Sequence, residues 1–212
     1  MTGKTKTIRV LGREMTLFNQ KCRDWIHPYP WEGHGNLADS GCGIFSLCHA
    51  GFWLTGREQD PEAWADFSVS CGGRGDDGTD RPQLLHGLMA SGRNRELNLR
   101  YEEDGLRNDD DTLYRFLLEE KGVSLCNLRV GHIVCLVAAR EVDGVKQVLA
   151  IDSVAESSEL RVRDAVCEVI PGTELEYTVR NKQGLEVGEG KSFAAFWVRW
   201  DQPKDFNLLW KI

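Results

Sequence analysis

Apolar positions in the first half of the chain recur at helical spacing. Ile44, Phe45, Leu47, Cys48, Phe52 and Leu54 form one such run, with Asp39-Ser40 ahead as an N-cap and Gly56 as its stop. Asp60-Pro61 opens a second, short helix carrying Ala63, Trp64 and Phe67, and its proline occupies a favoured first-turn position. Beyond a glycine-rich loop at 72–78, Pro82 to Ala90 reads as a third helix. Asp110-Asp111 caps a fourth through Leu113, Phe116, Leu117 and Leu118, ending at Lys121-Gly122. Ahead of these helices, residues 8–18 predict a strand pair broken at Gly12-Arg13. The stretch from there to Asp39 reads as a long irregular loop, with Trp25, His27, Tyr29, Trp31 and His34 set among prolines and glycines.

The second half changes period. Val130 to Ala139 and Gln147 to Ile151 flank a turn at Asp143-Gly144, a strong hairpin signal. Residues 160–170, 175–180 and 193–200 are rich in β-branched and aromatic side chains and read as further strands. Helices first and strands second predict α+β architecture. No internal repeat and no firm boundary divides the chain, so residues 1–212 are expected to form one domain, with the strand-rich tail from 156 completing the sheet.

Composition narrows the function. With 26 Lys+Arg against 33 Asp+Glu the net charge is −7, which disfavours nucleic acid or an anionic membrane as partner, because phosphate binding needs a basic excess. No stretch approaches the ~20 apolar residues of a spanning helix, and the start of the chain lacks the apolar core of a signal peptide. The seven cysteines, 22, 42, 48, 71, 126, 135 and 167, show no regular spacing and no CxxC pair. They read as thiols of a cytoplasmic protein, mostly buried as small hydrophobes. Cys22, His27, His34, Cys48 and His49 match no common zinc-ligand spacing, so neither metal nor cofactor is expected. Gly3-Lys4-Thr5 lacks the upstream glycine of a phosphate loop, and Arg74-Gly75-Asp76 reads as a surface turn. The acidic runs at 102–104 and 109–111 do not fit a calcium loop and read as a solvated helix entrance. Trp25, Tyr29 and Trp31 are expected to pack the linker or line a groove, and Trp53 and Trp64 to lie in the core.

Candidate chemistry centres on Ser40-Gly41-Cys42-Gly43, at the start of the first apolar helix. A thiol there sits at the positive end of the helix dipole, which favours thiolate. The small neighbours Gly41 and Gly43 would let a substrate backbone approach and let the Cys42 N–H face an oxyanion. Alone, the string fits a buried cysteine in a capping turn equally well. Gly131-His132-Ile133-Val134 opens a strand, and Ala150-Ile151-Asp152-Ser153 closes its partner beyond the hairpin turn. Antiparallel pairing about Asp143-Gly144 therefore brings Asp152 near His132. A nucleophile, a base and an orienting carboxylate then stand in one chain.

Asn19-Gln20, Trp25, Tyr29-Pro30, SGCGIFSLCHA, GHIVCLVA and VLAIDS together resemble the papain-like cysteine peptidases related to the bacteriocin double-glycine leader peptidases. The resemblance spans roughly residues 17–155. It implies Cys42 as nucleophile, His132 as general base and acid, Asp152 as orienting residue and Gln20 as side-chain donor to the oxyanion. It further implies a two-lobed papain-like fold, with a helical lobe bearing the cysteine and an antiparallel sheet lobe bearing the histidine. In many relatives the nucleophile string continues Pro-Thr-Ser-Leu and the orienting Asp precedes Pro. Here the corresponding residues are Ile44-Phe45-Ser46-Leu47 and Ser153, and no transporter segments accompany the domain. The expected function is hydrolysis of peptide or amide bonds in a peptide or protein substrate. The alternatives on the same scaffold are acyl transfer, deamidation, or a non-catalytic peptide-binding module.

Overall fold

The computed structural model describes residues 3–102, 110–129, 131–154, 167–183, 185–200 and 205–212. A hairpin of β1 (Thr5–Val10) and β2 (Arg13–Phe18) is followed by a smaller one, β3 (Pro28–Trp31) and β4 (His34–Asn36). One helical turn, α1 (Leu37–Ser40), runs directly into the 14-residue α2 (Cys42–Thr55). Next come α3 (Pro61–Ser70), the two-residue ladder strands β5 (Arg74–Gly75) and β6 (Gly78–Thr79), and α4 (Arg81–Ser91). A short strand, β7 (Leu99–Tyr101), precedes α5 (Asp110–Leu118). Then follow β8 (Gly122–Arg129), β9 (His132–Val142), β10 (Val145–Ile151), β11 (Glu168–Val169), β12 (Glu174–Arg180), β13 (Glu186–Phe193), β14 (Ala195–Arg199) and β15 (Asp205–Lys211). The class is α+β, as expected from the order of periodicities.

Seven strands form one antiparallel sheet in the order β11-β14-β10-β9-β8-β15-β7. Its two faces follow the two-residue period of the strands. Leu125, Ile133, Cys135, Leu149, Ile151 and Trp197 face the core shared with α2. Cys126, Val134, Leu136, Val148, Ala150 and Phe196 face the opposite way, onto Leu113, Phe116 and Leu117 of α5. Burial on both faces explains why these strands read as continuous apolar runs rather than as alternation. Helix α2 is enclosed as well: Cys42 through Gly51 are all buried, so it carries apolar residues around its whole circumference. Behind it, Phe18, Trp25 and Phe45 pack ring on ring at 5.1–6.1 Å.

Several local expectations hold for identifiable reasons. Asp60 and Asp80 accept backbone N–H bonds from Glu62 and Gln83, capping α3 and α4. The turns Leu11-Gly12 and Asp143-Gly144 have positive φ at both residues, the geometry that joins twisted strands with two residues. Others are corrected. The segment up to Asp39 is not irregular throughout, since it contains the β3–β4 hairpin and α1. Asp39-Ser40 lies inside α1 and caps nothing for α2, whose N-cap is Gly41. Trp64 is buried as expected, but Trp53 is partly exposed with the Arg13 guanidinium over its ring. Arg74 is buried rather than part of a surface turn. Lys146 reaches across to pair with Asp111, so that acidic residue is not simply solvated. Residues 103, 104, 109, 130 and 160–166, on which acidic-run and strand expectations fell, lie outside the described residues. No helix among the described residues is long and apolar enough to cross a membrane.

Gly122 opens β8 where β15 crosses it, and a Cβ there would collide with the Leu209 carbonyl and the Phe116 ring. Gly122→Ala is therefore expected to destabilise the fold by about 1–3 kcal/mol in urea unfolding followed by tryptophan fluorescence. Gly188→Ala, on β13 with open space around it, should leave the midpoint within about 0.5 kcal/mol of the wild type.

Candidate active site

The N-terminus of α2 is prepared by the turn before it. Asn36 Oδ1 accepts the Asp39 N–H at 3.0 Å and caps α1, and the Gly41 N–H closes that turn on Leu37 O at 2.9 Å. Gly41 then serves as the N-cap of α2 without a side-chain hydrogen bond. The first intrahelical bond runs from Phe45 N to Gly41 O, so the N–H groups of Cys42, Gly43 and Ile44 point out of the helix end unclaimed by a cap. Partial positive charge accumulates where the Cys42 side chain begins.

The flanking glycines serve a purpose other than the one the sequence suggests. A Cβ on Gly43 would lie 2.5 Å from Thr79 of β6, and one on Gly41 would strike Leu37 and Phe45. The missing side chains make room for the protein's own packing, not for a substrate backbone.

Beyond the end of β10, at the Ile151–Cys135 pair, strand β9 continues and meets α2. Ser46 Oγ donates to Ile133 O at 2.9 Å, and the Ile133 backbone also favours the Cys42 thiolate. Cys42 and Ser46 are one helical turn apart and share a face, so a single strand residue fixes the helix end. The residue before it, His132, acts on the Cys42 thiol at close range, and each favours the charged form of the other. His132 Nε2 meets Asp152 Oδ1 at 2.6 Å, which leaves Nδ1 to serve the sulfur. The Asp152 carboxylate is held in turn by the Val154 N–H at 2.7 Å, and its own N–H donates to Ala194 O at 2.8 Å. Cys42, His132 and Asp152 are 7%, 8% and 2% exposed, so the thiol and imidazole keep only a narrow opening to solvent.

Gln20 joins through neighbours of these residues. Its Oε1 accepts the Ser153 hydroxyl at 3.0 Å, its N–H donates to Ser153 O at 3.2 Å, and its Nε2 donates to Ala38 O at 3.2 Å. One Nε2 hydrogen remains beyond the bond to Ala38. The consecutive pair Asp152-Ser153 thus orients both the imidazole and the glutamine amide.

Electrostatics separate Cys42 from the other thiols. Burial drives Cys48 and Cys135 well upward, and Cys22 is raised as well. Burial also opposes ionisation of Cys42, but the His132 hydrogen bond and charge, together with the Ile133 N–H, outweigh it and bring the thiol below its ordinary value. Burial likewise works against a charged His132, yet Asp152 and the Cys42 sulfur raise it to about 10. With the thiol lowered and the imidazole raised, the favoured state is thiolate beside imidazolium. His49, one helix face away, shows the contrast. It is fully buried, its Nε2 accepts the Phe18 N–H at 3.2 Å, and burial depresses it to about 3, so it stays neutral.

Two cavities flank the centre. One, of about 350 Å³, has Cys42 in its wall with Ile133 and the loop from Gly75 to Pro82. The other, of about 520 Å³, is bounded by Gln20, Ala38, Asp39 and the Tyr177–Arg180 segment of β12. Among the described residues no three His, Cys, Asp or Glu side chains converge on a metal-sized site; His27, for one, is engaged with Asp66 and Glu62.

Comparison of the chain with protein-family models, with curated proteins and with solved structures finds no match in any of the three.

The structure thus brings Cys42 together with the hydrogen-bonded pair His132–Asp152 and ties Gln20 to them through Ser153 and Ala38. Sequence reasoning missed Ser153, Ser46 and the Ile133 backbone as supports. Only the adjacency of Ser153 and Ile133 to named residues could have flagged them. Labelling of Cys42 by iodoacetamide should be half-maximal below pH ~8.5, the free-thiol value. His132→Ala removes the main influence that opposes burial and should move that midpoint upward, as read by peptide mass spectrometry across pH. Because His132 is raised in the fold above its unfolded value of ~6.5, its stabilising contribution is full below ~6.5 and is lost as pH rises through about 10.

Proposed function

We propose that this chain is a cysteine hydrolase of papain-like type that cleaves peptide or amide bonds in a peptide or protein substrate. The observation that carries the reading is the Cys42–His132–Asp152 set: a lowered thiol at a helix N-terminus, beside an imidazole that is held by a carboxylate at 2.6 Å. A structural cysteine needs none of these partners. The packing of a cysteine-bearing helix against an antiparallel sheet that carries the histidine supports the two-lobed papain-like assignment of the fold.

The cycle starts with the Cys42 thiolate attacking the carbonyl carbon. The resulting oxyanion is met by the Cys42 N–H and the free hydrogen of Gln20 Nε2. His132 gives its proton to the leaving nitrogen, the C–N bond breaks, and a thioester remains on Cys42. His132, now neutral, takes a proton from water as the water attacks the thioester. The C–S bond breaks, the acid leaves, and the thiolate–imidazolium pair is restored. Asp152 keeps the imidazole oriented and stabilises its charged form throughout.

The test is digestion of a diverse peptide mixture with mass-spectrometric readout. Wild type should cleave and Cys42→Ala should not. Gln20→Ala should retain thiol reactivity while losing about 10²–10³ in kcat, the usual cost of one oxyanion donor. Cleavage that survives Cys42→Ala, or a wild type that cleaves nothing and forms no adduct with peptide aldehydes, would overturn the proposal.

A further inference from the structure

The cavity that opens beside Cys42 has a charged wall that the chemistry above does not use. Asp76 and Asp77 are the two turn residues between β5 and β6, and both are exposed at its edge, with Asp80 at the start of α4. This turn is held firmly. Arg74, only 6% exposed, donates through Nε to Tyr29 O at 3.0 Å and through a terminal nitrogen to Gly78 O at 3.0 Å and to Gly75 O. Tyr29 Oη bonds Thr79 Oγ1 at 2.9 Å, and Thr79 fills the space above Gly43. The turn that carries the two aspartates is thereby anchored against the end of α2 that bears the thiol.

Among the described residues, the two arginines at this cavity are already engaged. The Arg74 guanidinium is consumed by carbonyls, and Arg81 in the wall, 7% exposed, pairs with the Asp205 carboxylate and donates to Leu125 O at 3.0 Å. Asp76 and Asp80 accept only backbone N–H bonds, from Asp77 and Gln83, and no cation pairs with Asp76, Asp77 or Asp80 among the described residues. Nor do they converge on a metal ion. A negative rim around a cavity of about 350 Å³, with Ile133 and Pro82 as apolar wall, suits an extended organic cation: a methylene stem against the apolar side and a charged head at the rim.

We infer that the cavity beside Cys42 takes a lysine or arginine side chain of a peptide, with Asp76 and Asp77 as the specificity-determining residues. This rests on the reading of Cys42 as a peptide-cleaving nucleophile, whose substrate must pass through that cavity. Because the carboxylates are exposed, the preference is moderate and salt-sensitive, about tenfold at low ionic strength.

Occupancy is measured without turnover, by protection of Cys42 from neutral iodoacetamide. Hexapeptides that differ in carrying Lys, Arg, Leu or Glu at each position are the competitors, and each variant's unprotected rate is its own reference. Lys and Arg peptides should protect at concentrations about tenfold below their Glu counterparts. The advantage should vanish in Asp76→Asn/Asp77→Asn and at high salt. Asp77→Lys should turn the preference toward Glu peptides, a gain that misfolding cannot imitate. Equal protection by Lys and Glu peptides, or an unchanged preference in both variants, overturns the inference. Cleavage of the same peptides is followed in parallel. Turnover without charge preference removes the cavity assignment and leaves the hydrolase; charge-dependent protection without turnover removes the hydrolase and leaves a cation-selective peptide pocket.

Discussion

The backbone of Ile133 is the joint on which the candidate site depends. Its carbonyl takes the Ser46 hydroxyl and its backbone favours the Cys42 thiolate, just past the point where β10 stops pairing with β9. Helix and sheet meet there through directional bonds as well as through apolar contact, and such bonds fix a geometry that apolar contact alone leaves loose. Since His132 is the neighbouring residue, the seam that holds helix to sheet also sets the distance from sulfur to imidazole. The glycines at 41 and 43 bring Leu37, Phe45 and Thr79 hard against the same helix end. Tight packing on one side and strand hydrogen bonds on the other leave the thiol little freedom.

Burial has opposite consequences for chemically identical side chains here. Cys48 and Cys135 have no charged partner to offset the loss of water, and their thiols are pushed upward. Cys42 is buried nearly as deeply, yet a hydrogen-bonded imidazole more than compensates. A buried charge is tolerable only when paired and hydrogen-bonded, and the chain from Cys42 through His132 to Asp152 and the Val154 N–H meets that condition at each link. His49 illustrates the other solution: with only the Phe18 N–H beside it and no carboxylate in contact, it remains neutral.

What could be read from the sequence follows from the range of the interactions involved. The Asp143-Gly144 turn brings the end of β10 beside the start of β9, which is why His132 and Asp152 could be placed near each other. Its register alone would set Asp152 opposite Cys135; the shift between Leu149 and Ala150, which leaves no local signal, moves it one residue toward His132. Helices α3 and α4 announce themselves by Asp-Pro and by Asp80 with Pro82. Strands β8 and β15 were invisible because both are buried on two faces, which erases alternation, and because β15 inserts between β8 and β7 from far along the chain. The tie between Gln20 and Ser153 crosses 133 positions and leaves no local trace. The role of Asp76 and Asp77 was hidden for a different reason: Arg74-Gly75-Asp76 looks like any surface turn until Arg74 is seen buried beneath it.

The strand order has a consequence for how the molecule comes into being at the ribosome. Residues 42, 132 and 152 are all made before either strand that closes the sheet around their hairpin, β14 beside β10 and β15 beside β8. Domains fold as units and non-local pairing waits for its partners. A nascent chain that already contains the thiol, the imidazole and the carboxylate therefore still lacks the strands that flank their hairpin, and the full sheet around Cys42, His132 and Asp152 can assemble only after translation has passed residue 211.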